Sequence, residues 1–197
     1  DYFTHSLDSP IRLIGDDSKC QTEIIENKKI KSTYDQDHCG NLTITGCFFN
    51  DCTSKNYGGS LFVEQECNIT IHKTIFNKSR TKKSLGGAGF IVQKKGENHA
   101  PDFQDEQLPY LDVQYCCFND CSGPSSLYGV AFFMAARNSI LYYSSTVKCP
   151  GDKKVTGAQF DIQAVDIKSH YVNATGGKAD YCAGIEYRYA TSGFFRF

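Results

Sequence analysis

Five charged residues late in the sequence, Asp161, Asp166, Lys168, Glu186 and Arg188, have the types that acid–base chemistry needs. Two carboxyl groups flanking a glycosidic bond can cleave it, one as acid and the other as nucleophile or base. A carboxylate cluster beside a cation can instead hold calcium and abstract a proton, as a polysaccharide lyase requires. A second polar group fills "KKGENHAPDFQDEQ" (94–107), with Glu97, His99, Asp102, Asp105 and Glu106, and a loop of that kind on a rigid scaffold is a place to bind a ligand. Zinc chemistry would need Cys with His38, His72 or His170, but no Cys-x-x-Cys knuckle supplies the spacing. No Gly-x-Ser-x-Gly elbow or phosphate loop occurs. Because outward strand positions are commonly charged, the five residues read first as solvated surface. The expectation is no catalytic residue, no metal and no cofactor.

What would position these residues is a repeat. A Phe-Asn pair recurs at Phe49-Asn50, Phe76-Asn77 and Phe118-Asn119, and Val147-Lys148 and Val172-Asn173 continue it more weakly. Five residues before each anchor stand Ile44, Ile71, Val113, Tyr142 and Ile167; two earlier stand Leu42, Ile69, Leu111, Ile140 and Val165. Apolar residues two apart mark one face of a strand. After the anchor comes a glycine (Gly59, Gly87, Gly129, Gly157, Gly184), and three residues on an aromatic (Phe62, Phe90, Phe132, Phe160, Tyr187). Three short strands per copy cannot bury their own inward face, but stacked copies can. The reading is an all-β, right-handed parallel β-helix of five to six three-strand rungs. A β-sandwich also shows short strands and turns, yet it would not keep these internal offsets through five copies. Residues 1–38 are expected to cap the first rung or form an irregular one. Residues 39–190 carry the repeats, with 93–107 as an insertion, and 191–197 form an open terminal strand.

Composition agrees. Phe (14) and Tyr (12) are abundant, Trp is absent and Met occurs once, which favours strands. A net charge of −1 gives no reason to expect nucleic acid or an anionic membrane as partner. The longest apolar run, "GVAFFMAA" (129–136), is too short to span a bilayer. The start at Asp1 suggests a processed form or a fragment. Ten cysteines together with sequons at Asn41, Asn68, Asn77 and Asn173 point to the secretory pathway and an extracellular or cell-surface location.

The asparagines of the anchor are expected to form an amide ladder. That would bury Asn77 and Asn173, so glycans belong sooner on Asn41 and Asn68. Disulfide candidates are Cys47–Cys52 and Cys116–Cys121 or Cys117–Cys121 within a copy, and Cys39–Cys67 and Cys121–Cys149 between neighbouring copies. Phe194, Phe195 and Phe197 close the sequence on an aromatic strand that invites assembly.

"GGSL" at Gly58, "GGAG" at Gly86 and the three Phe-Asn pairs resemble the repeat of bacterial polymorphic outer-membrane (autotransporter) proteins and of similar surface proteins of protists such as trichomonads. The resemblance covers about residues 39–190 and departs where "TGAQF" and "CAGIEY" replace the glycine motif. It implies a right-handed helix of the pectin-lyase-like kind, acting as a structural or adhesive surface module without catalytic residues. Partners would be another copy, a neighbouring surface protein or a glycan. The rival expectation is a carbohydrate-active enzyme, lyase or hydrolase.

Overall fold

The computed structural model describes residues 11–14, 23–26, 34–36, 41–64, 67–82, 86–92, 110–123, 129–149, 158–176 and 184–196. Among these residues there are strands and turns but no helix. Three short strands come first: β1 (Ile11–Ile14), β2 (Glu23–Glu26) and β3 (Tyr34–Gln36). The first regular coil holds β4 (Leu42–Thr45), β5 (Phe48–Asn50), β6 (Thr53–Ser54) and β7 (Leu61–Glu64). The second repeats it as β8 (Ile69–His72), β9 (Ile75–Asn77), β10 (Arg80–Thr81) and β11 (Gly89–Val92). The third is β12 (Tyr110–Gln114), β13 (Cys117–Asn119) and β14 (Phe132–Ala135). The fourth is β15 (Asn138–Tyr142), β16 (Ser145–Val147) and β17 (Phe160–Gln163). A rim follows in β18 (Asp166–His170), β19 (Asn173–Thr175), β20 (Ile185–Arg188) and β21 (Ser192–Arg196).

The strands stack in parallel into three principal sheets. The first face runs β2-β4-β8-β12-β15-β18-β21, the second β5-β9-β13-β16-β19, and the third β3-β1-β7-β11-β14-β17-β20. This is a parallel β-solenoid of about four turns. It has fewer turns than the five to six rungs expected, because from β19 onward the coil no longer encloses a buried interior: β20 is half-buried and β21 exposed along its length. Residues 93–107 lie outside the described residues, but register holds across them, with Leu111 opposite Ile69.

Inside, like residues lie over like. On the first face Leu42, Ile69 and Leu111 align, as do Ile44, Ile71 and Val113. On the second, the Phe49, Phe76 and Phe118 rings stack at 4.8 and 4.9 Å, within 10° of parallel. All nine are essentially inaccessible. On the third face the inner column reads Leu61, Gly89, Phe132, Phe160, Ile185. Size alternates across facing columns. A Cβ on Gly89 would stand 2.2 Å from the Phe132 ring, which leans over the vacant position to touch Phe118 at 4.9 Å. In the fourth turn Thr146 replaces the phenylalanine, and Phe160 meets Phe118 edge-on at 5.2 Å.

Register departs from expectation in two places. In the fourth turn the inward residues are Ser139, Leu141 and Thr146, not Ile140, Tyr142 and Val147. In the rim they are Ile167, Ser169 and Ala174, so Val172-Asn173 is not the anchor. Hydrophobicity misled because the true interior there is partly polar while neighbouring outward positions are apolar. The aromatic column after the glycine is likewise two columns. Phe62, Phe90 and Phe133 stack on the outer face, whereas Phe132 and Phe160 belong to the core. The equivalent glycines are Gly58, Gly86 and Gly129, at φ of 52°, 66° and 54°, where only glycine is unstrained. Counting from Gly59 and Gly87 therefore shifted the third copy by one.

Gly89→Ala should cost about 1–3 kcal/mol by overpacking against the Phe132 ring. Urea unfolding should show that loss, and Phe132→Leu in the same chain should restore most of it. Equal losses in both backgrounds would break the proposed size exchange.

Candidate functional site

The outer face of the third sheet carries a small apolar cluster. The Phe62, Phe90 and Phe133 rings stack at 5.7 and 5.0 Å, and Tyr57 packs on Phe62 and Phe90. Strand register continues this column into Asp161 and then Glu186. Asp161 thus follows a phenylalanine in the column and is wholly buried. Arg188, two residues beyond Glu186 on β20, places its guanidinium 3.4 Å from Asp161 and 2.9 Å from Glu186. Neither Asp161 oxygen receives a well-formed hydrogen bond. Burial raises its pKa to about 7, and the Arg188 cation only partly opposes that. Three of the five charged residues singled out from sequence therefore converge.

The other two do not. Asp166 and Lys168 sit on β18 of the first face, where Asp166 accepts a hydrogen bond from Ser192 at 3.2 Å and Lys168 is exposed. Among the described residues no three His, Cys, Asp or Glu side chains are grouped to hold a metal. His72 bonds Asp112 at 3.0 Å, and His170 packs against Tyr142 and Phe194. His38, Glu97, His99, Asp102, Asp105 and Glu106 lie outside the described residues.

The cysteines line the corners. Where the first face turns into the second, Cys47, Thr74, Cys116 and Ser144 follow one another, and each donates to the carbonyl two residues back. At the next corner Cys52, Ser79, Cys121 and Cys149 follow one another; the three thiols donate to the carbonyls two residues back at 3.5–3.8 Å, and the Ser79 hydroxyl bonds that of Ser60. Thiol and hydroxyl thus share one role. The seven described cysteines, Cys47, Cys52, Cys67, Cys116, Cys117, Cys121 and Cys149, form no disulfide with one another. The pairs Cys47–Cys52, Cys116–Cys121 and Cys117–Cys121 are not formed. In the first two, one strand separates the two corners, and its rise of about 3.3 Å per residue carries the Cα atoms beyond disulfide reach. Burial pushes the Cys52 and Cys116 thiols up to about 12, so they are unreactive. Cys121 and Cys149 do meet on adjacent turns: the Cys121 amide donates to Cys149 Sγ at 3.4 Å, and hydrogen bonding from the Cys121 side chain draws the Cys149 pKa down. Cys39 lies outside the described residues.

The amide ladder joins Asn50, Asn77 and Asn119, with Nδ2 of each donating to the Oδ1 below at 2.6 and 2.7 Å. Val147 and Thr175 occupy its next two positions; Asn173 pairs with Ser145 instead and is exposed. Asn41 and Asn68 accept at Oδ1 from the Asn68 and Tyr110 amides.

Sequence reasoning missed an outward tyrosine ladder. Tyr115, Tyr143 and Tyr171 recur at a constant interval of 28 residues, which is the signal that could have found them. At the rim, Phe194 and Phe195 are 57% and 38% exposed, and Phe195 packs on Tyr187 at 4.7 Å. Phe197 lies outside the described residues.

Asp161 binds its proton more tightly folded (about 7) than an unfolded aspartate does, near 4. Between those values the native state holds the extra proton, so stability must fall as pH rises, by at most about 1.4 kcal/mol per unit. Urea midpoints across that range should decline more steeply for the native chain than for Asp161→Asn. Parallel profiles would show that Asp161 titrates normally.

No family model matches the chain, nor does any curated protein or solved structure.

Proposed function

We propose that the protein is a non-catalytic, extracellular structural or adhesive module, of the kind displayed by the surface proteins its repeats resemble. One observation carries the reading: its best acid–base cluster is closed on itself. Asp161 is wholly buried and Arg188 spans both carboxylates. A general acid must reach the proton it donates, and an enclosed carboxyl beside stacked phenylalanines has no open side for a glycosidic oxygen. The repeated residues elsewhere serve stacking, which suits a rod that displays its outer columns. The exposed Phe194 and Phe195 offer a surface for a second copy or a neighbouring protein.

A specific observation favours the second reading, a carbohydrate-active enzyme. Asp161 and Glu186 are register neighbours on adjacent strands, with one carboxyl held near neutral pKa and the other ion-paired. A polysaccharide panel decides between the two. Product formation that disappears in Glu186→Gln establishes the enzyme, whereas glycan-array or surface-protein binding without turnover supports the module. Light scattering over a wide concentration range tests self-association, and a Phe194→Ser, Phe195→Ser variant should abolish it.

Expressed through a eukaryotic secretory pathway, the chain should carry glycans at Asn41, Asn68 and Asn173 but not at Asn77, whose Nδ2 is committed to Asn50. Glycopeptide mass spectrometry reads the occupancy directly. Full occupancy at Asn77 would contradict the ladder.

A further inference from the structure

The three outward tyrosines are arranged as no random surface residues would be. Tyr115, Tyr143 and Tyr171 each hold the left-handed corner of successive turns, at φ of 55°, 48° and 50°. That fixed backbone aims their side chains alike. The Tyr115 and Tyr143 rings lie 4.9 Å apart and 5° from parallel; Tyr143 and Tyr171 lie 5.1 Å apart at 18°. All three are roughly half exposed, at 54, 47 and 44%. Arg196 covers the far face of the stack, its guanidinium 5.6 Å from the Tyr171 ring centre. The same lattice places buried phenylalanines in the core column, where rings pack in the dark of the interior. Here phenols occupy a position that reagents reach.

We propose that this ladder is an oxidative coupling site, at which a peroxide with its haem peroxidase joins neighbouring tyrosines of adjacent turns into dityrosine. Each of two phenols gives up one electron and its hydroxyl proton. The resulting phenoxyl radicals combine, forming one bond between ring carbons ortho to oxygen. Each of those carbons then passes its hydrogen to oxygen, restoring two phenols. The two electrons and two protons reduce one hydrogen peroxide to two waters. The rings are near neighbours at 4.9 and 5.1 Å, so a swing of each exposed side chain about its own torsions, a fast motion at a surface, turns stacked faces into meeting ortho edges. Holding two radical partners side by side replaces a bimolecular encounter with an intramolecular one. The product staples turn three to turn four, or turn four to the rim, across strands otherwise held by main-chain hydrogen bonds and packing. It does not depend on the surface-module reading, since it rests on ring geometry alone.

The test is brief treatment of the dilute protein with horseradish peroxidase and hydrogen peroxide, isolation of the monomer, and tryptic mass spectrometry. The expected product is a cross-linked peptide pair joining Tyr143 to Tyr115 or to Tyr171. Tyr143→Phe, which removes the central phenol and keeps the ring, should lower monomer dityrosine fluorescence about fivefold, the advantage being one of proximity. Tyr142→Phe should leave it unchanged, because that ring stands edge-on to Tyr143 at 78°. The proposal is overturned by monomer cross-links spread over other tyrosines at similar yield, or by undiminished dityrosine in Tyr143→Phe. Protein unfolded in urea, treated identically, should lose the preference for these pairs.

Discussion

Parallel stacking in exact register makes each side chain the neighbour of its own counterpart one turn away, and this single condition governs which residues the chain can use. Amides tolerate it because each is donor and acceptor at once, as Asn50, Asn77 and Asn119 demonstrate. Flat rings tolerate it by stacking. Like charges do not. At the corner after the amide ladder the successive residues are Asp51, Lys78, Asp120 and Lys148, with alternating sign, and Arg80 adds a 3.3 Å contact to Asp120. A column of carboxylates at this spacing would repel at every step. The same four residues hold positive φ, a conformation that costs a non-glycine residue about 1 kcal/mol. Favourable pairing along the column offsets part of that cost.

The first three turns were legible because an apolar pair two apart and a Phe-Asn pair repeat there together, joined in the first two by a double glycine. The two pairs agree in offset, so the strands of the first and second faces follow, while the glycine count slips by one on the third face. The fourth turn was not legible in detail. Its interior holds Ser139 and Thr146, whose hydroxyls find no partner, while Ile140 and Val147 face outward. A reading that sends apolar residues inward must slip by one there, and a slip of one reverses every side chain. The candidate site was half legible for a related reason. Asp161, Glu186 and Arg188 stand out by charge, but only strand register shows that they share a column and that Asp166 and Lys168 belong to another face.

Cysteine identity carries a different lesson. Ten cysteines suggest disulfides when counted, yet in the corner columns cysteine, serine and threonine exchange freely, each capping the same carbonyl. A buried thiol fills a corner with little polar cost, and a hydroxyl makes a stronger bond there. Selection for that niche needs no oxidising compartment. Cys121 and Cys149 are the described pair on adjacent turns whose thiols meet, and their contact arises from the column, just as the Asn and Tyr contacts do. The extracellular reading therefore leans more on the sequons than on the cysteines.

Because each turn touches only its neighbours, stability in such a rod is a sum along one axis, and opening starts where the local terms are weakest. Polar residues accumulate toward the C-terminal end: Ser139, Thr146, Gln159 and Asp161 are all buried in the fourth turn, and the Ser139 and Thr146 hydroxyls and the Asp161 carboxylate lack hydrogen-bond partners. Among the described residues of the first three turns no buried side chain lacks a hydrogen-bond partner in this way. Desolvation of Asp161 and its partial compensation by Arg188 thus fall at the junction between a tightly packed stack and a half-open rim. Ionising that carboxyl weakens the contact between β17 and β20 and leaves the phenylalanine stack below it untouched. A catalytic site would need the opposite placement, with the reactive groups held by the most rigid turns and facing solvent. The cluster lies where the stack meets the half-open rim and its Asp161 carboxyl is shut off from solvent, so the physics that raises its pKa is that of a closing contact between turns.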